Sequence, residues 1–107
     1  MWVSKDGQII MAQSWYLYIL RCRDKSYYTG VTVDVKQRLD RHNSGKGAKY
    51  TRSRGPCELV YFEECESEAE ARTREREIKG WRREEKQALV VRFPSSALEP
   101  FIRVSGV

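Results

Sequence analysis

The sequence predicts a small α+β domain in which helices flank a three-stranded antiparallel sheet, in the order β-β-α-β-α-α. Three observations indicate this fold class. The strand-like segments 15–22 and 27–32 are separated by only four polar residues, as is typical of a hairpin. The segment CELVYFEEC at 57–65 alternates well enough for a third strand. Apolar residues recur at helical spacing between and after these strands.

The hairpin is followed by a predicted helix. Asp34 occupies the position of an N-cap. Three residues then share one face of the helix: Val35, Leu39 and His42. The helix is expected to end near Gly45, because glycine readily takes the left-handed conformation that follows many helices. A basic, glycine-containing loop is expected from there to Pro56.

A second helix is predicted after the third strand. Ser67 is placed to cap a helix from Glu68 to about Gly80, with Glu70 completing a capping box. Oppositely charged residues four apart form three predicted pairs on its surface: Glu68–Arg72, Glu70–Arg74 and Glu75–Lys79. A shorter helix is expected from about Arg82 to Val91. The segment after 93–96 is consistent with either a short strand or disorder.

Length and composition restrict the class of protein. We expect one domain from 107 residues, divided into an extension at 1–13, a folded domain at 14–91 and a tail at 92–107. No apolar run approaches the roughly 18 residues of a membrane helix, and the first dozen residues lack signal-peptide features. A cytoplasmic location is therefore expected. Three cysteines without a CxxC pair predict free thiols: Cys22, Cys57 and Cys65.

The net charge of +5 is concentrated in one stretch. Residues 33–55 have an excess of five positive charges, which equals the excess of the whole chain. Such a stretch is typical of a surface that binds a polyanion, most often nucleic acid. A solvated basic surface without a partner is the alternative.

Two groups of polar residues are candidates for chemistry. Strand alternation predicts that Tyr18 and Tyr28 meet across the hairpin, although paired tyrosines are also common in ordinary sheets. His42 lies on the apolar helix face with Arg38 at its edge. A core histidine is one interpretation, and a phosphate clamp formed by the arginine and histidine is the other.

Glu75 stands between Ala71 and Ile78 on the inward face of the second predicted helix. A buried carboxylate without a partner costs several kcal/mol, about 3–5 when one partner of a buried pair is missing. Glu75 is therefore expected either to pair with Lys79 in partial solvent or to face a cation. That cation is Arg38 or a divalent metal, and a single carboxylate suits Mg²⁺.

In this combination the sequence resembles the GIY-YIG endonuclease superfamily, and within it the small single-domain UPF0213 type. The two namesake motifs appear as YLY at 16–18 and YTG at 28–30. The helical arginine of the family corresponds to Arg38 in QRLDRHNSG, and its metal-binding glutamate to Glu75 in ARTREREIK. Tyr16 and Thr29 depart from the namesake letters, at positions that supply strand backbone.

The resemblance implies a metal-dependent endonuclease that hydrolyses DNA phosphodiester bonds. Five residues are the implied catalytic set: Tyr18, Tyr28, Arg38, His42 and Glu75. Glu75 would hold Mg²⁺ or Mn²⁺, and Thr32 would belong to the surroundings of the pocket. Five residues of the basic loop would contact the nucleic acid: Lys46, Lys49, Tyr50, Arg52 and Arg54.

The resemblance leaves three points open. The general base is Tyr18, Tyr28 or His42, because that choice depends on hydrogen-bond geometry. The substrate is expected to be DNA, with RNA as an alternative and with a protein partner as one source of selectivity. A non-cleaving binding module of the same fold, or a nuclease active only with a partner, is the alternative function.

Overall fold

The computed structural model describes residues 2–3, 9–10 and 14–101. Its strands are β1 (Trp2–Val3), β2 (Ile9–Ile10), β3 (Trp15–Arg21), β4 (Tyr27–Thr32) and β5 (Glu58–Cys65). Its helices are α1 (Val35–Asn43), α2 (Lys49–Arg52), α3 (Glu68–Lys79), α4 (Arg83–Arg92) and a 3₁₀ helix (Ser95–Phe101). Within these ranges, every helix is too short or too polar to cross a membrane.

The main sheet has three antiparallel strands in the order β4-β3-β5. The predicted fold class and the order β-β-α-β-α-α are therefore confirmed, with α2 as an additional helical turn. β1 and β2 form a separate antiparallel pair. This pair falls in the predicted extension 1–13, whose other residues lie outside the described ranges.

Side chains of β3 alternate between two core clusters, because successive residues of a strand point to opposite faces. Leu17 and Ile19 join a cluster that includes Ala71 and Ile78 of α3. Tyr18 and Leu20 join the other cluster with Val35 and Leu39 of α1, Leu59 of β5, and Cys57, which directly precedes β5. The central strand thus holds α1 and α3 in fixed positions relative to the sheet.

Helix α1 begins and ends as its sequence predicts. The carboxylate of Asp34 accepts a hydrogen bond from the backbone N–H of Gln37 at 3.0 Å, which satisfies one of the free donors of the first turn. Gly45 follows the helix with φ of +80°, a left-handed conformation in which glycine has no Cβ to clash. Val35, Leu39 and His42 are buried, so the predicted inward face is correct.

Helix α3 is capped by Ser67, but two details of the prediction are wrong. Ser67 Oγ accepts from the backbone N–H of Glu70 at 3.1 Å, whereas the Glu70 carboxylate accepts from the N–H of Glu66 instead of closing the capping box. The predicted Glu70–Arg74 pair does not form. Arg74 donates to Glu63 of β5 at 2.7 Å, because the neighbouring strand offers it a more enclosed carboxylate.

Two segments differ from their predicted form. Residues 49–52 were expected in a loop and instead form α2, which has no side-chain N-cap and therefore no sequence signal at Ala48. The expectation of a short strand or disorder after 93–96 is wrong for 97–101, which belong to the 3₁₀ helix Ser95–Phe101. This helix contacts β5. Residues 102–107 of the predicted tail lie outside the described ranges.

The predicted free thiols are confirmed. Cys22, Cys57 and Cys65 are buried and free. Cys57 Sγ lies 3.4 Å from Cys22 Sγ. Burial and the neighbouring Cys22 raise the pKa of the Cys57 thiol to about 12, so this thiol stays protonated near neutral pH.

Candidate active site

The β3–β4 hairpin brings Tyr18 and Tyr28 together, as the alternation of the two strands predicts. Tyr18 lies opposite Gly30 in the ladder, and the Tyr18 and Tyr28 ring centroids are 6.3 Å apart. A Cβ atom at Gly30 would lie 2.6 Å from the Tyr18 hydroxyl oxygen. The absence of a side chain at Gly30 therefore lets the Tyr18 ring lie directly against the backbone of β4.

A chain of hydrogen bonds connects β3, α1 and α2. Tyr18 Oη lies 2.9 Å from His42 Nε2, and His42 Nδ1 lies 2.7 Å from Thr51 Oγ1. Thr51 Oγ1 donates to the carbonyl oxygen of Ala48 at 3.0 Å. Tyr18, His42 and Thr51 are all buried. Residues of three elements thus converge on one imidazole ring.

Aromatic rings form one side of this site. The Tyr28 ring centroid is 5.1 Å from that of His42 and 6.0 Å from that of Tyr50. Tyr50 lies at the surface, with the Arg54 guanidinium 4.0 Å above its ring. The three rings lead from the buried histidine to solvent, a path along which a flat or extended ligand can make contact.

Arg38 supplies an unused hydrogen-bond donor in this region. Its Nε is buried and has no hydrogen-bond partner within the described residues. A buried donor without a partner costs about 1–3 kcal/mol. The arginine is therefore prepared for an acceptor, and phosphate oxygens match its donor geometry.

Of the two alternatives for Glu75, the structure shows the pair with Lys79, and the described residues form no ion pair between Glu75 and Arg38. The Glu75 side chain is 16 % exposed, and its carboxylate lies 3.3 Å from Nζ of Lys79, whose side chain is 54 % exposed. Glu75 therefore lies mostly inside the protein while its ammonium partner lies mostly in solvent. The predicted ion pair with Lys79 forms, but the Glu75 carboxylate does not lie at the surface.

The residues present fit a hard divalent cation held by one carboxylate. Among the described residues there is no group of three or more His, Cys, Asp or Glu side chains that could form a full protein cage. Mg²⁺ commonly binds through one or two carboxylates and completes its shell with water and substrate phosphate. Glu75 is the candidate ligand for such an ion.

The charges of Arg38 and Glu75 act on Tyr18. Burial raises the pKa of the Tyr18 phenol, Tyr28 and Glu75 raise it further, and Arg38 lowers it. The net result is a pKa far above neutral, so Tyr18 is a phenol at physiological pH. The implied catalytic residues Tyr18, Tyr28, Arg38, His42 and Glu75 thus belong to one electrostatic neighbourhood.

His42 is shifted in the opposite direction. Burial lowers the pKa of its imidazole, and the charges of Arg38 and Arg41 lower it further. Its ordinary pKa is about 6.5, so His42 is neutral at physiological pH. A neutral imidazole beside a protonated phenol can accept the phenol proton.

The residues predicted to contact nucleic acid fall into two groups. Lys46, Lys49 and Arg52 are exposed and form no ion pair within residues 14–101, so their charges are available to a ligand. Arg54 donates to Asp24 at 3.1 Å and to the Tyr50 carbonyl at 3.0 Å. The Arg54 guanidinium thus holds Tyr50 in place in addition to carrying charge.

Two residues near the site were not found from the sequence. Thr51 was missed because α2 has no cap signal, and Gly47 because its role depends on a contact with His42. A Cβ at Gly47 would collide with the imidazole and with the His42 backbone. Thr32, expected near the pocket, is buried and bonds through Oγ1 with the backbone N–H and carbonyl of Asp34. It stabilises the turn into α1.

Residues 14–88 match the sequence family described as the GIY-YIG catalytic domain. The chain belongs to the GIY-YIG family. This family is part of a nuclease superfamily whose members act on nucleic acids. The resemblance inferred from the motifs of β3, β4, α1 and α3 is therefore confirmed.

This GIY-YIG chain is also similar to individual curated proteins and to a solved structure. A UPF0213 protein of Haloquadratum walsbyi is 53% identical over 74 residues, covering 69% of this chain and 83% of the relative. A UPF0213 protein of Clostridium perfringens is 52% identical over 75 residues, covering 70% and 81%. The solution NMR structure of a protein from E. faecalis is 40% identical, with a TM-score of 0.50, and covers 70% of this chain and 80% of that one. The chain is similar to UPF0213 proteins over most of their length.

Proposed function

We propose that this GIY-YIG protein is a metal-dependent endonuclease that hydrolyses DNA phosphodiester bonds. The observation that supports the proposal most directly is the buried Arg38 Nε, which has no hydrogen-bond partner among the described residues and acts electrostatically on the Tyr18–His42 pair. An unpaired cationic donor next to a group that can accept a proton fits a reaction in which water attacks an anionic phosphate. The carboxylate of Glu75 lies close enough to raise the pKa of Tyr18, and it adds a ligand for a metal ion.

In the proposed reaction the substrate phosphate lies against Arg38, whose guanidinium N–H groups donate to the non-bridging oxygens. Water attacks phosphorus, and the bond from phosphorus to the leaving oxygen breaks. One new end carries a phosphate group and the other a hydroxyl group. Mg²⁺ or Mn²⁺ held by Glu75 would supply Lewis-acid stabilisation of charge at the phosphate and the leaving oxygen.

The proton of the attacking water passes to the Tyr18–His42 pair in this proposal. Tyr18 has a raised pKa and cannot act as a standing phenolate, so it accepts a proton only while donating its own to His42. His42 is neutral and bonded to Tyr18, so it can receive that proton. Tyr28 contacts the His42 ring without such a bond, which favours Tyr18 and His42 as the proton-transferring residues.

Basic residues beside the aromatic side of the site would bind the nucleic-acid backbone. Lys46, Lys49 and Arg52 are free to neutralise phosphates, and Tyr50 offers an exposed ring on the path from solvent to His42. Binding of this kind weakens steeply with salt, because each phosphate contact releases counterions.

The test is nicking of supercoiled plasmid in Mg²⁺ or Mn²⁺ by the wild type, Glu75→Gln and Glu68→Gln. Glu68 is a matched control, since it is on the same helix and pairs with Arg72 four residues on, in largely exposed surroundings. We expect Glu75→Gln to reduce nicking about 100-fold or more, because metal stabilisation of the transition state is worth several kcal/mol. Glu68→Gln should nick like the wild type. Nicking that survives Glu75→Gln or excess chelator would contradict the mechanism.

A second candidate is a nucleic-acid-binding module that does not cut, or that cuts only with a protein partner. The ion pair between Glu75 and Lys79 favours it, because the ammonium occupies the carboxylate that a metal needs. Retention of plasmid or labelled RNA in a gel, without nicking in any metal, would support this candidate. Faster cleavage of the RNA than of the plasmid would instead change the substrate class.

A further inference from the structure

The Thr51 hydroxyl lies at hydrogen-bond distance from one ring nitrogen of His42. A threonine hydroxyl has one hydrogen to donate and two lone pairs to accept with. Thr51 Oγ1 lies within hydrogen-bond distance of two groups, the carbonyl oxygen of Ala48 at 3.0 Å and Nδ1 of His42 at 2.7 Å. A carbonyl oxygen can only accept, so Thr51 is the donor in the bond to Ala48 and its single hydroxyl hydrogen is used there.

Counting the hydrogens on each group then determines the tautomer of His42. With its hydrogen directed at Ala48, Thr51 Oγ1 can only accept from His42, so His42 Nδ1 must carry a hydrogen. A neutral imidazole has one N–H, which leaves Nε2 with a lone pair. Tyr18 Oη, 2.9 Å from Nε2, is therefore the donor in that bond. Every donor in the chain is matched to an acceptor.

We propose that Thr51 is a positioning residue that holds His42 in the tautomer protonated at Nδ1, so that Nε2 receives the proton of Tyr18. The inference rests on the proposed nuclease function for its catalytic consequence, but not for the tautomer itself. In the opposite tautomer His42 would donate to Tyr18, and no nitrogen in reach of Tyr18 could take up a proton. The helical turn α2 thus aligns the proton path while remaining outside it.

The position of Thr51 makes this role specific. Thr51 is fully buried, whereas its α2 neighbours Lys49 and Arg52 are exposed. The Ala48 carbonyl also accepts from the backbone N–H groups of Thr51 and Arg52, each at 3.1 Å, which fixes its direction. Gly47 permits the close approach of the loop to the imidazole. The acceptor for Thr51 is therefore part of the backbone and does not depend on another side chain.

His42 is the only histidine in the chain, so histidine labelled with ¹⁵N reports on this ring alone. Two-dimensional NMR that correlates ring protons with both nitrogens distinguishes protonated from unprotonated nitrogen. For the wild type at neutral pH we expect Nδ1 protonated and Nε2 unprotonated. A wild-type spectrum with the hydrogen on Nε2 overturns the proposal without any variant.

Three variants complete the test. Thr51→Val keeps the shape but removes the acceptor, and we expect a mixture of tautomers or a hydrogen on Nε2. Thr51→Ser keeps the hydroxyl and should preserve the wild-type spectrum. Thr73→Val, at an exposed threonine of α3, is the control and should also leave the spectrum unchanged. A Thr51→Val spectrum identical to that of the wild type would overturn the proposal.

Plasmid nicking by the same variants separates this proposal from the proposed function. We expect Thr51→Val to lose about 100-fold of the nicking rate, the lower end of general acid–base contributions, with recovery in Thr51→Ser. If the wild type does not nick but shows the predicted tautomer, the nuclease function fails while the role of Thr51 stands. If the tautomer changes in Thr51→Val and nicking does not, the positioning role in catalysis is wrong.

Discussion

Arg38 and Arg74 are two partly buried arginines that lie between a helix and the sheet. They differ in whether their hydrogen-bond donors have partners. Arg74 on α3 is 27 % exposed and donates to Glu63 at 2.7 Å and to Glu77 at 2.6 Å. Its guanidinium also lies 5.3 Å from the Trp81 ring centroid. Arg38 on α1 has a buried Nε without a partner among the described residues.

The difference separates a residue that stabilises the fold from one that is kept available for a ligand. The partners of Arg74 come from β5 and from its own helix, so its charge is neutralised inside the protein. Arg38 lies near neutral Tyr18 and His42, and among the described residues neither Glu75 nor any other carboxylate forms an ion pair with it. A phosphate would give Arg38 what Glu63 gives Arg74.

The largest expected effect is that of Arg38→Met on cleavage. Methionine keeps much of the side-chain length and removes every donor, so the transition state loses its guanidinium contact. We expect plasmid nicking to fall about 100- to 1000-fold, as for the loss of one oxyanion-hole donor. Urea denaturation should show an unchanged or higher free energy of unfolding, because an unsatisfied buried donor is removed. Undiminished nicking by Arg38→Met would contradict the claim that Arg38, unlike Arg74, serves the reaction.

Arg74→Met should give the reverse result. Removing Arg74 leaves the partly buried Glu63 carboxylate with the Tyr61 hydroxyl as its one side-chain partner among the described residues. We expect the free energy of unfolding to fall by about 1–3 kcal/mol, the range for charged hydrogen bonds that lose a partner. The nicking rate of the folded protein, measured well below the urea midpoint, should match that of the wild type. A larger loss of nicking than in Arg38→Met would refute the division of roles.

The decrease of nicking at low pH should come from the residues around Arg38 and not from those around Arg74. Burial lowers the pKa of His42 below its ordinary value of about 6.5, and Arg38 and Arg41 lower it further. Tyr18 from β3 and Tyr28 from β4 also face the ring, and burial raises the pKa of Tyr18, so it is a neutral phenol near neutral pH. Nicking should decrease as the pH falls through the folded-state pKa of His42, because imidazolium cannot accept the Tyr18 proton.

Stability has the same sign of pH dependence. The unfolded chain binds a proton at His42 at a higher pH than the folded chain does. The free energy of unfolding therefore decreases as the pH falls from about 6.5 through the folded-state pKa. Urea denaturation across this range should show the decrease in the wild type and in Arg74→Met, and a smaller one in His42→Gln. Equal slopes in all three proteins would argue against a lowered His42 pKa.

The smallest expected effect is on binding at the surface. Arg52→Gln removes an exposed charge, and the slope of log affinity against log salt should fall by about 0.9 for duplex DNA. Arg54→Gln should change this slope less, because its guanidinium already bonds to Asp24 and to the Tyr50 carbonyl. Fluorescence anisotropy of labelled duplex at several salt concentrations measures both. Equal slopes for Arg52→Gln and the wild type would exclude a phosphate contact at Arg52.

Local signals in the sequence predicted most of the fold. Asp34 and Ser67 are N-caps whose side chains bond within a few residues, so both helix starts were predictable. The inward position of Glu75 followed from its spacing between Ala71 and Ile78, both fully buried. Alternation along β3 and β4 was sufficient to bring Tyr18 and Tyr28 together.

Contacts between distant elements were beyond the reach of local patterns. Arg74 chose Glu63, eleven residues away on β5, over Glu70 one turn away on its own helix. The role of Thr51 required knowledge of where α2 lies relative to His42. Both depend on the packing of the sheet against helices, which helical spacing does not determine.

The glycines at 30 and 47 have a consequence for how function could be lost in this chain. Each lies where a methyl group would occupy the space of the Tyr18 hydroxyl or of the His42 ring. Drift at most surface positions weakens a protein gradually, whereas a single alanine at either glycine would displace an aromatic ring at once. Intact side chains at the proposed catalytic positions are therefore insufficient evidence of activity in a descendant of this sequence. The residues at positions 30 and 47 have to be checked before activity is inferred.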